Sequence, residues 1–376
     1  MEVAVVRVLL AGGGTAGHVN PLLATADALL QRGHDVAALG TERGLESHLV
    51  PAAGIDLYFV PRVPLPRRPS LDLLRLPLRL GAAIAAAGRA IDAIDADVVV
   101  GFGGYVSTPA YVAARRRKVP VVVHEGNARP GLANRLGARW AAAVALTFEG
   151  TPLKGGVVTG LPLRSAIIDL AELLRNPEAG DPLRARSRAA WGWAADVPTL
   201  LVTGGSTGAA SLNAATAAVV ERLVQHGIHV LHLTGRGKSD GAERARGNLS
   251  ARHREMYVIR EYVEDMETAF AAADAVVCRA GANTVCEISA LGLPAVYVPL
   301  PHGNGEQELN AKGAVDAGAA SIVHDGELTA TALELVAEPL VLDRRARDAA
   351  RRAAASIGIL DGAERLAEII EQVARR

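Results

Sequence analysis

Short apolar runs alternate with longer stretches rich in alanine and leucine along the first half of the chain. Six of these runs have the length and the β-branched content of strands: residues 3–10, 35–39, 56–60, 98–100, 119–123 and 143–146. Helical patterns lie between them, for example at residues 21–31 and 71–94, and the second of these is predicted to break at Pro77. Strands alternating with helices predict a parallel sheet with helices on both faces.

The same alternation stops near residue 163 and begins again at residue 199. The second half carries strand patterns at residues 199–203, 229–233, 257–259, 275–278, 295–298 and 321–323. Between the halves, a stretch that includes Asn176, Pro177 and Gly180 is rich in turn-forming residues. We therefore expect an N-terminal domain over residues 1–163, a linker over 164–198, a C-terminal domain over 199–360 and an amphipathic closing helix over 361–376.

Length and charge limit the classes of protein that fit. At about 100–200 residues per domain, the 376 residues predict two or three domains, and a hydrophobic content of 50% is ample for their cores. The 40 basic residues balance the 40 acidic residues, which excludes a disordered chain and argues against a protein built to bind nucleic acid. Aromatic residues make up only 3%, too few for the stacking platforms that bind single strands.

Cysteine usage and the first residues fit a protein of the cytosol. The two cysteines, Cys278 and Cys286, are too few for a disulfide framework. The chain has no CxxC or HExxH pattern, so a zinc site has no support, and its start lacks the order of a signal peptide. Glycines break the uncharged runs at 8–26, 98–114 and 197–220, which argues against membrane spans. We expect a soluble or peripheral protein.

Each half opens with an apolar strand, a glycine-rich loop and a helix. The first loop covers residues 12–17, and the second covers residues 203–208. Both loops suit a phosphate, because glycine lets the backbone approach a ligand and a helix start presents free N–H groups. Two Rossmann-like domains facing each other across a cleft are the simplest interpretation, with ligands at the carboxyl ends of the strands.

The first loop alone leaves three interpretations open. Its Gly12, Gly14 and Gly17 match the GxGxxG pattern of dinucleotide-binding folds, and Glu42 lies near the end of the second strand, where such folds place a carboxylate for the ribose. A tight turn without a ligand and a general anion site are the alternatives. His18 follows directly, either as a base that deprotonates a hydroxyl or as a hydrogen-bond partner of the turn.

Further polar residues follow other strands. A third glycine turn at residues 279–284 precedes Glu287, which suits a ribose diol but is also an ordinary charge on a helix. The loops at 124–127 and 302–307 and the junction residue Arg164 offer groups for phosphate or sugar hydroxyls, with plain surface roles as the alternative.

Arginines and leucines are interleaved in one segment of the first half. The arginines are Arg62, Arg67, Arg68, Arg75 and Arg79, against a single acid, Asp72. Basic and apolar residues in one segment suit an anionic membrane surface. A helix that packs on its own domain and exposes a charged face is the alternative.

Together these motifs make the chain resemble the MurG family over nearly its whole length. The matching segments are GGTAGH at 13–18, GFGGYVS at 101–107, HEGN at 124–127, GGSTG at 204–208, CRAGANTVCE at 278–287 and EQELNA at 306–311. Members are bacterial transferases that add N-acetylglucosamine from UDP-N-acetylglucosamine to undecaprenyl-pyrophosphoryl-N-acetylmuramoyl-pentapeptide in peptidoglycan synthesis. The resemblance implies the GT-B glycosyltransferase fold, with the nucleotide sugar in the C-terminal half and the lipid acceptor in the N-terminal half.

The resemblance also implies roles for individual residues. From its place directly after the first glycine loop, rather than from the resemblance, we expect His18 to be the base, with Glu125 as the alternative. The resemblance places uracil near Val263, the ribose on Glu287, and the diphosphate on Ser206 and Arg164. Its other substrate-binding positions are Thr15, Ala16, Gly17 and Asn127 on the acceptor side, Ala282, Asn283, Thr284, Val285 and Cys286 along the phosphate and sugar, and Gln307 at the sugar hydroxyls. The chain departs from common family residues at Ala16, Gly126, Leu161 and Glu306.

The implied reaction is an inverting transfer that needs neither a metal nor a cofactor. Its acceptor stays in a bilayer, so we expect a peripheral protein at the inner-membrane surface, on the cytoplasmic face, with the arginine- and leucine-rich segment as the docking element. No nucleic-acid partner is expected. The residues leave open another UDP-sugar enzyme of the same fold, such as a 2-epimerase or a natural-product glycosyltransferase, an NAD-dependent oxidoreductase, and a non-catalytic UDP-sugar sensor.

Overall fold

The structure is a computed structural model that describes residues 5–63 and 71–375. It divides into two compact units. The first combines Met1–Arg164 with Leu360–Arg376, and the second is Ser165–Ile359. Each unit is built on one parallel sheet with helices around it. The predicted α/β class with two Rossmann-like domains is confirmed.

The first unit contains a seven-stranded sheet. Its strands are β1 (Arg7–Ala11), β2 (Asp35–Gly40), β3 (Asp56–Phe59), β4 (Val98–Gly101), β5 (Val121–Glu125), β6 (Ala143–Leu146) and β7 (Gly156–Val158). Its helices before the second unit are α1 (Ala16–Gln31), α2 (Glu46–Ala52), α3 (Leu71–Ala93), α4 (Gly104–Arg117) and α5 (Leu132–Gly137). The strand order is β3-β2-β1-β4-β5-β6-β7, and all neighbouring pairs are parallel. Strand β7 was not among the predicted strands, and it spans only three residues.

The second unit contains a six-stranded sheet of the same design. Its helices are α6 (Ser165–Arg175), α7 (Pro177–Ala190), α8 (Ala210–Gln225), α9 (Asp240–Asn248), α10 (Ala251–Glu255), α11 (Met266–Ala272), α12 (Ala282–Ala290), α13 (Glu306–Asp316), α14 (Ala330–Leu342) and α15 (Arg344–Ile357). Its strands are β8 (Thr199–Thr203), β9 (His229–Leu233), β10 (Tyr257–Arg260), β11 (Ala275–Cys278), β12 (Ala295–Tyr297) and β13 (Ala320–Ile322). Their order is β10-β9-β8-β11-β12-β13, again parallel throughout.

Helix α3 is continuous through Pro77, so the predicted interruption there is wrong. Pro77 is the seventh residue of the helix, and its missing N–H removes only the hydrogen bond to the carbonyl of Leu73. Further along, Ala83, Ala87 and Ile91 are buried against the sheet. Burial of this apolar face outweighs the loss of one hydrogen bond near the helix start.

The 164–198 segment, predicted as a linker, forms helices α6 and α7 of the second unit. The turn-forming residues begin helix α7. The Asn176 side chain caps this helix by accepting a hydrogen bond from the N–H of Glu178, and Pro177 occupies the first helical position. Near the end of α7, the buried Arg188 donates to Asp274 at 3.0 Å and to the carbonyl of Ala272 at 3.1 Å. These bonds fasten the segment to the second sheet.

The closing helix, α16 (Gly362–Ala374), returns to the first unit. Leu366, Ile370 and Val373 are buried in the core that covers one face of the first sheet. At its polar edge, Glu371 lies 3.0 Å from Nε2 of His34 and 3.2 Å from Nη1 of Arg32. The first unit is therefore assembled from two segments that are almost two hundred residues apart.

Each sheet has a switch point where the strand order reverses direction. In the first sheet it lies between β1 and β4, and in the second it lies between β8 and β11. Ligands of open parallel sheets bind beside the carboxyl ends of the strands at such a point. The glycine-rich loops after β1, β4, β8 and β11 all lie there. Among the described residues, none of the helices combines the length and the apolar character needed to cross a bilayer.

Candidate functional site

The first glycine loop joins β1 to α1 at the switch point of the first sheet. Gly14 has a φ of +88°, a conformation that favours glycine, and Thr15 is the N-cap of α1. Thr15, Ala16 and Gly17 are exposed at the helix start. The three predicted acceptor-side residues therefore lie where a helix presents its first backbone N–H groups.

A second glycine turn, after β4, packs directly against the first loop. Gly103 and Gly104 have φ values of +100° and +75°. A Cβ atom on Gly103 would lie 3.1 Å from Nε2 of His18, and one on Gly104 would lie 3.0 Å from the carbonyl oxygen of Gly13. Side chains at these positions would push His18 or the first loop aside. Gly103 and Gly104 of the GFGG segment therefore pack against His18 and the first loop.

His18 is half-buried in the first turn of α1. Its Nδ1 lies 3.2 Å from the carbonyl oxygen of Gly13 and 3.2 Å from Oγ1 of Thr15. A proton on Nδ1 satisfies the Gly13 carbonyl and leaves Nε2 as the basic nitrogen. Burial lowers the pKa of His18, and the hydrogen bond to Gly13 opposes the change. His18 therefore bonds to the turn and also keeps the neutral form that a general base needs.

Glu125 ends β5 as a buried carboxylate. It accepts hydrogen bonds from the N–H of Asn127 at 2.9 Å, the N–H of Gly131 at 3.0 Å and Nδ2 of Asn134 at 3.0 Å. Burial raises the pKa of Glu125, and these hydrogen bonds oppose the rise. The arrangement suits a carboxylate that holds the loop carrying Asn127 better than one that exchanges protons with a substrate.

Two residues that no sequence pattern indicated, Asn134 and Tyr111, support this loop. Asn134 donates to the carbonyl of His124 at 2.9 Å and accepts from the buried hydroxyl of Tyr111 at 2.7 Å. Gly101 leaves room for the Tyr111 ring, which a Cβ atom there would overlap. Tyr111 is 23 residues from Asn134 along the chain, and no local pattern connects them. In the sequence, the glycine at position 101 is the signal of this packing, because any side chain there would overlap the Tyr111 ring.

The glycine loop after β8 lies beside the loop after β9. Gly208 and Gly235 have φ values of +65° and +86°, and a Cβ atom on Gly208 would overlap the carbonyl oxygen of Thr234. Ser206 is exposed in this loop. Lys238 donates to the carbonyl of Thr207 at 2.6 Å. The loop that carries Ser206 is therefore accompanied by a positive charge.

The third glycine turn leads into α12 with Gly281 as its N-cap. The predicted phosphate and sugar residues form the start of this helix: Ala282 and Val285 are buried, and Asn283, Thr284, Cys286 and Glu287 are half-buried. Because the first N–H groups of a helix lack a partner within it, this end suits an anionic group. Burial raises the pKa of the Cys286 thiol, which keeps it neutral.

Arg279 fixes this turn through contacts that the sequence did not indicate. It donates to Asp325 at 2.5 Å, to Oγ of Ser211 at 3.0 Å and to the carbonyl of Val298 at 3.1 Å. Ser211 in turn donates to Asp325 at 2.6 Å. One guanidinium therefore joins the ends of β11 and β12 to the first turn of α8.

The remaining predicted site residues are more dispersed. Gln307 is half-buried in α13, and its Oε1 accepts from the N–H of Leu300 at 3.0 Å, in the loop after β12. Val263 follows β10, which is three strand spacings from β11, or about 14 Å at ~4.8 Å per spacing. Arg164 is half-buried as the last residue of the first stretch of the first unit. The second sheet thus brings Gln307 near the α12 turn and keeps Val263 at its far side.

Much of the predicted membrane segment lies outside the described residues. Arg67 and Arg68 fall in the 64–70 gap, and nothing is described of the Arg75 side chain. Arg62 lies over the ring of Tyr105 at 5.2 Å, and Leu78 is 78% exposed. The rest of α3 packs on its own unit, as the alternative expected.

Among the described residues, one group could hold a metal ion. His226, Glu334 and Glu338 place their ligand atoms within 4.8 Å of one another. Arg222 already pairs with Glu334 at 2.7 Å, and His226 lies 3.0 Å from Glu338. His226 caps the far end of α8, so the group lies at the edge of the sheet opposite the glycine loops. It has no place in the site described above.

The two halves of the chain match two family models. Residues 8–146 match the glycosyltransferase family 28 N-terminal domain, and residues 199–373 match the glycosyltransferase family 28 C-terminal domain. These matches define the class of protein, a glycosyltransferase with an N-terminal and a C-terminal α/β domain.

Relatives of known name narrow the class. The chain is 51% identical to the UDP-N-acetylglucosamine--N-acetylmuramyl-(pentapeptide) pyrophosphoryl-undecaprenol N-acetylglucosamine transferase of Nocardioides sp. (strain ATCC BAA-499 / JS614), over 97% of each chain. It is 49% identical to the protein of the same name from Acidothermus cellulolyticus (strain ATCC 43068 / DSM 8971 / 11B), over 98% of each chain. The crystal structure of Acinetobacter baumannii MurG is similar with a TM-score of 0.77 and 28% identity, over 98% of this chain and 99% of that one. The chain belongs to glycosyltransferase family 28, and within it to the MurG family.

Proposed function

We propose that this protein transfers N-acetylglucosamine from UDP-N-acetylglucosamine to the 4-hydroxyl of undecaprenyl-pyrophosphoryl-N-acetylmuramoyl-pentapeptide, with inversion, in peptidoglycan synthesis. The observation that carries the proposal is the 51% identity, over 97% of each chain, to a transferase whose name specifies this sugar and this acceptor. The N-terminal domain takes the lipid-linked acceptor, and the C-terminal domain takes the nucleotide sugar.

The first unit supplies the base. His18 is neutral, its Nδ1 bonds to the Gly13 carbonyl, and its Nε2 is left to accept a proton from the acceptor hydroxyl. Thr15, Ala16, Gly17 and Asn127 contact the acceptor side of the transferred sugar. Removing the proton as the hydroxyl attacks avoids a positively charged oxygen on the product.

The second unit stabilises the departing UDP. Ser206, the N–H groups that begin α12 and the junction residue Arg164 take the diphosphate, whose negative charge grows as the glycosidic bond breaks. Glu287 binds the ribose, the backbone near Val263 contacts uracil, and Gln307 binds sugar hydroxyls. Residues from Ala282 to Cys286 line the phosphates and the sugar. Because these fixed donors stabilise the negative charge that a metal ion could otherwise neutralise, the proposed reaction needs no metal.

The acceptor keeps the protein at the cytoplasmic face of the cell membrane. The segment from Arg62 to Leu80 carries basic and apolar residues, and Leu78 exposes most of its surface to solvent. An exposed leucine among arginines suits an anionic bilayer, where the apolar side chain enters the interface and the charges meet lipid headgroups.

A transfer assay tests the proposal. The protein is incubated with labelled UDP-N-acetylglucosamine and a lipid-linked muramoyl-pentapeptide, with and without a chelator. Label is expected in the lipid only when the acceptor is present, in equal amount with the chelator, and at a higher rate on anionic than on neutral vesicles.

Other outcomes would contradict the proposal in different ways. Conversion of the donor without an acceptor would point to an epimerase, and tight donor binding without turnover would point to a sensor. Loss of product with the chelator would place a metal in the reaction.

A further inference from the structure

Glu46 is a carboxylate with no solvent exposure directly beneath the first glycine loop. It begins α2, yet its side chain turns back toward the ends of β1 and β2. One carboxylate oxygen accepts from the N–H of Gly14 at 2.9 Å. The other accepts from the N–H of Thr41 at 3.0 Å and from the Thr41 hydroxyl at 2.8 Å. These three donors offset the cost of removing the carboxylate from water, since each of its two oxygens accepts at least one hydrogen bond.

Three glycines leave the space that this carboxylate occupies. A Cβ atom on Gly13 would lie 2.5 Å from Oε1 of Glu46, and one on Gly40 would lie 2.6 Å from its Cγ. A Cβ atom on Gly44 would overlap the carboxylate itself. Side chains at these three positions would therefore exclude Glu46 from its place. The glycines of the loop serve an internal carboxylate as well as any ligand.

The peptide group between Gly13 and Gly14 connects Glu46 to His18. Its N–H donates to Oε2 of Glu46 at 2.9 Å, and its carbonyl oxygen lies 3.2 Å from Nδ1 of His18. A peptide group is planar, so its N–H and its carbonyl are held in fixed opposite directions. A charge bound at the N–H polarises the same group and strengthens its carbonyl as an acceptor.

We propose that Glu46 is a positioning residue for His18, acting through the Gly13–Gly14 peptide to hold the proton on Nδ1 and keep Nε2 as the base. This inference rests on the proposed function of His18 in the transfer. Glu46 also fills the position that a phosphate would take at the Gly14 N–H. The first glycine loop therefore presents a base, and the diphosphate is left to the donors proposed above, Ser206, the start of α12 and Arg164.

Other charged groups around the loop are less directly linked to His18. Tyr105 of α4 lies against Gly14, and Arg62 lies over the Tyr105 ring. Glu125 of β5 bonds to Asn134, whose Nδ2 would lie 3.4 Å from a Cβ atom on Gly103. The pKa of Glu46 is lowered: burial would raise it, but the hydrogen bonds from Gly14 and Thr41 outweigh burial. Glu46 is thus ionised at neutral pH and raises the proton affinity of His18.

Nitrogen NMR of the histidine rings tests the proposal directly. In the wild-type protein labelled with ¹⁵N-histidine, neutral His18 is expected as the Nδ1–H form. In Glu46→Gln, the Nε2–H form is expected to appear and the pKa of His18 to fall, because a negative charge is removed. The kcat of transfer is expected to fall about 10- to 100-fold, part of the ~10²–10⁴ that a positioned base supplies, with KM within about threefold.

Glu42→Gln is the matched control, because Glu42 is an exposed carboxylate four residues away. It is expected to leave the His18 signals, kcat and KM unchanged. An Nε2–H form in the wild-type protein would overturn the proposal even if Glu46→Gln did not fold. A folded Glu46→Gln with the wild-type His18 form and pKa would also overturn it. If the wild-type protein transferred no sugar, the proposed function would fail, and the NMR signals would still decide the role of Glu46.

Discussion

At the scale of a single residue, we expect His18 to set the pH dependence of the proposed transfer. A base works only when it is unprotonated, and burial lowers the pKa of His18 below its usual value near 6.5. Activity should therefore be retained down to pH 6.5 and fall only as the pH drops through the lowered pKa. A profile of kcat/KM against pH measures this acid limb. His18→Ala should lower kcat by about 10²–10⁴ and abolish the limb.

The control for this prediction is His48→Ala, because His48 is exposed on α2 of the same unit. It should keep both the rate and the acid limb of the wild-type protein. A limb that survives in His18→Ala would belong to another group, with Glu125 the next to test.

Sequence and structure differ in how they reveal such residues. His18 could be predicted because it follows a glycine loop that is visible in the sequence. Glu46 could not, because its partner Gly14 is 32 residues away along the chain and is brought to it by the pairing of β1 with β2. Glu42 fits the dinucleotide pattern by spacing, yet the exposed Glu42 is not the carboxylate that meets the loop.

At the scale of elements, close approach between two loops holds the candidate donor site together. Gly208 needs its positive φ, and its Cα faces Gly235 in the loop after β9. Gly208→Ala combines backbone strain with a steric overlap on the Thr234 carbonyl. It should destabilise the second unit by about 2–5 kcal/mol, the sum of a left-handed penalty and overpacking. Urea unfolding followed by Trp191 and Trp193 fluorescence measures the loss.

The variant Gly227→Ala separates backbone strain from steric overlap as causes of the destabilisation. Gly227 has a φ of +83°, but a Cβ atom there would meet nothing within 4 Å. Its free energy of unfolding should therefore fall only by the cost of backbone strain, about 1–2 kcal/mol. Equal losses in the two variants would show that the approach of the loops adds nothing to stability.

The elements themselves were largely predictable, and their ends were not. Apolar runs predicted the central strands correctly, because a strand that is buried on both faces has a continuous hydrophobic sequence. The 164–198 segment differed because Asn176 and Pro177 form a turn in one context and a helix start in another. The Arg188–Asp274 pair, which fastens this segment to the second sheet, joins residues 86 positions apart.

At the scale of the whole molecule, the sequence shows a repeated design, with a glycine loop at the switch point of each sheet. It does not show that the first unit is completed by the last helix. The apolar face of α16 covers a sheet face that the first 164 residues leave incomplete. An amphipathic pattern identifies a helix and its buried face, but not the sheet that the face will cover.

A pair of core substitutions tests which unit α16 stabilises. Leu366 of α16 and Leu333 of α14 are both fully buried, the first in the core with Leu10 and Val100 and the second in the core with Leu200. Each leucine-to-alanine change should cost about 2–5 kcal/mol through lost burial and the cavity left behind. Hydrogen exchange measured on peptides should show faster exchange in β1 and β4 for Leu366→Ala and in β8 and β11 for Leu333→Ala. Faster exchange in β8 for Leu366→Ala, with β1 unchanged, would assign α16 to the second unit. The predicted pattern instead makes the core of the first unit depend on α16, so that the first unit can bury this core only after the second unit, which precedes α16 in the chain, has been synthesised.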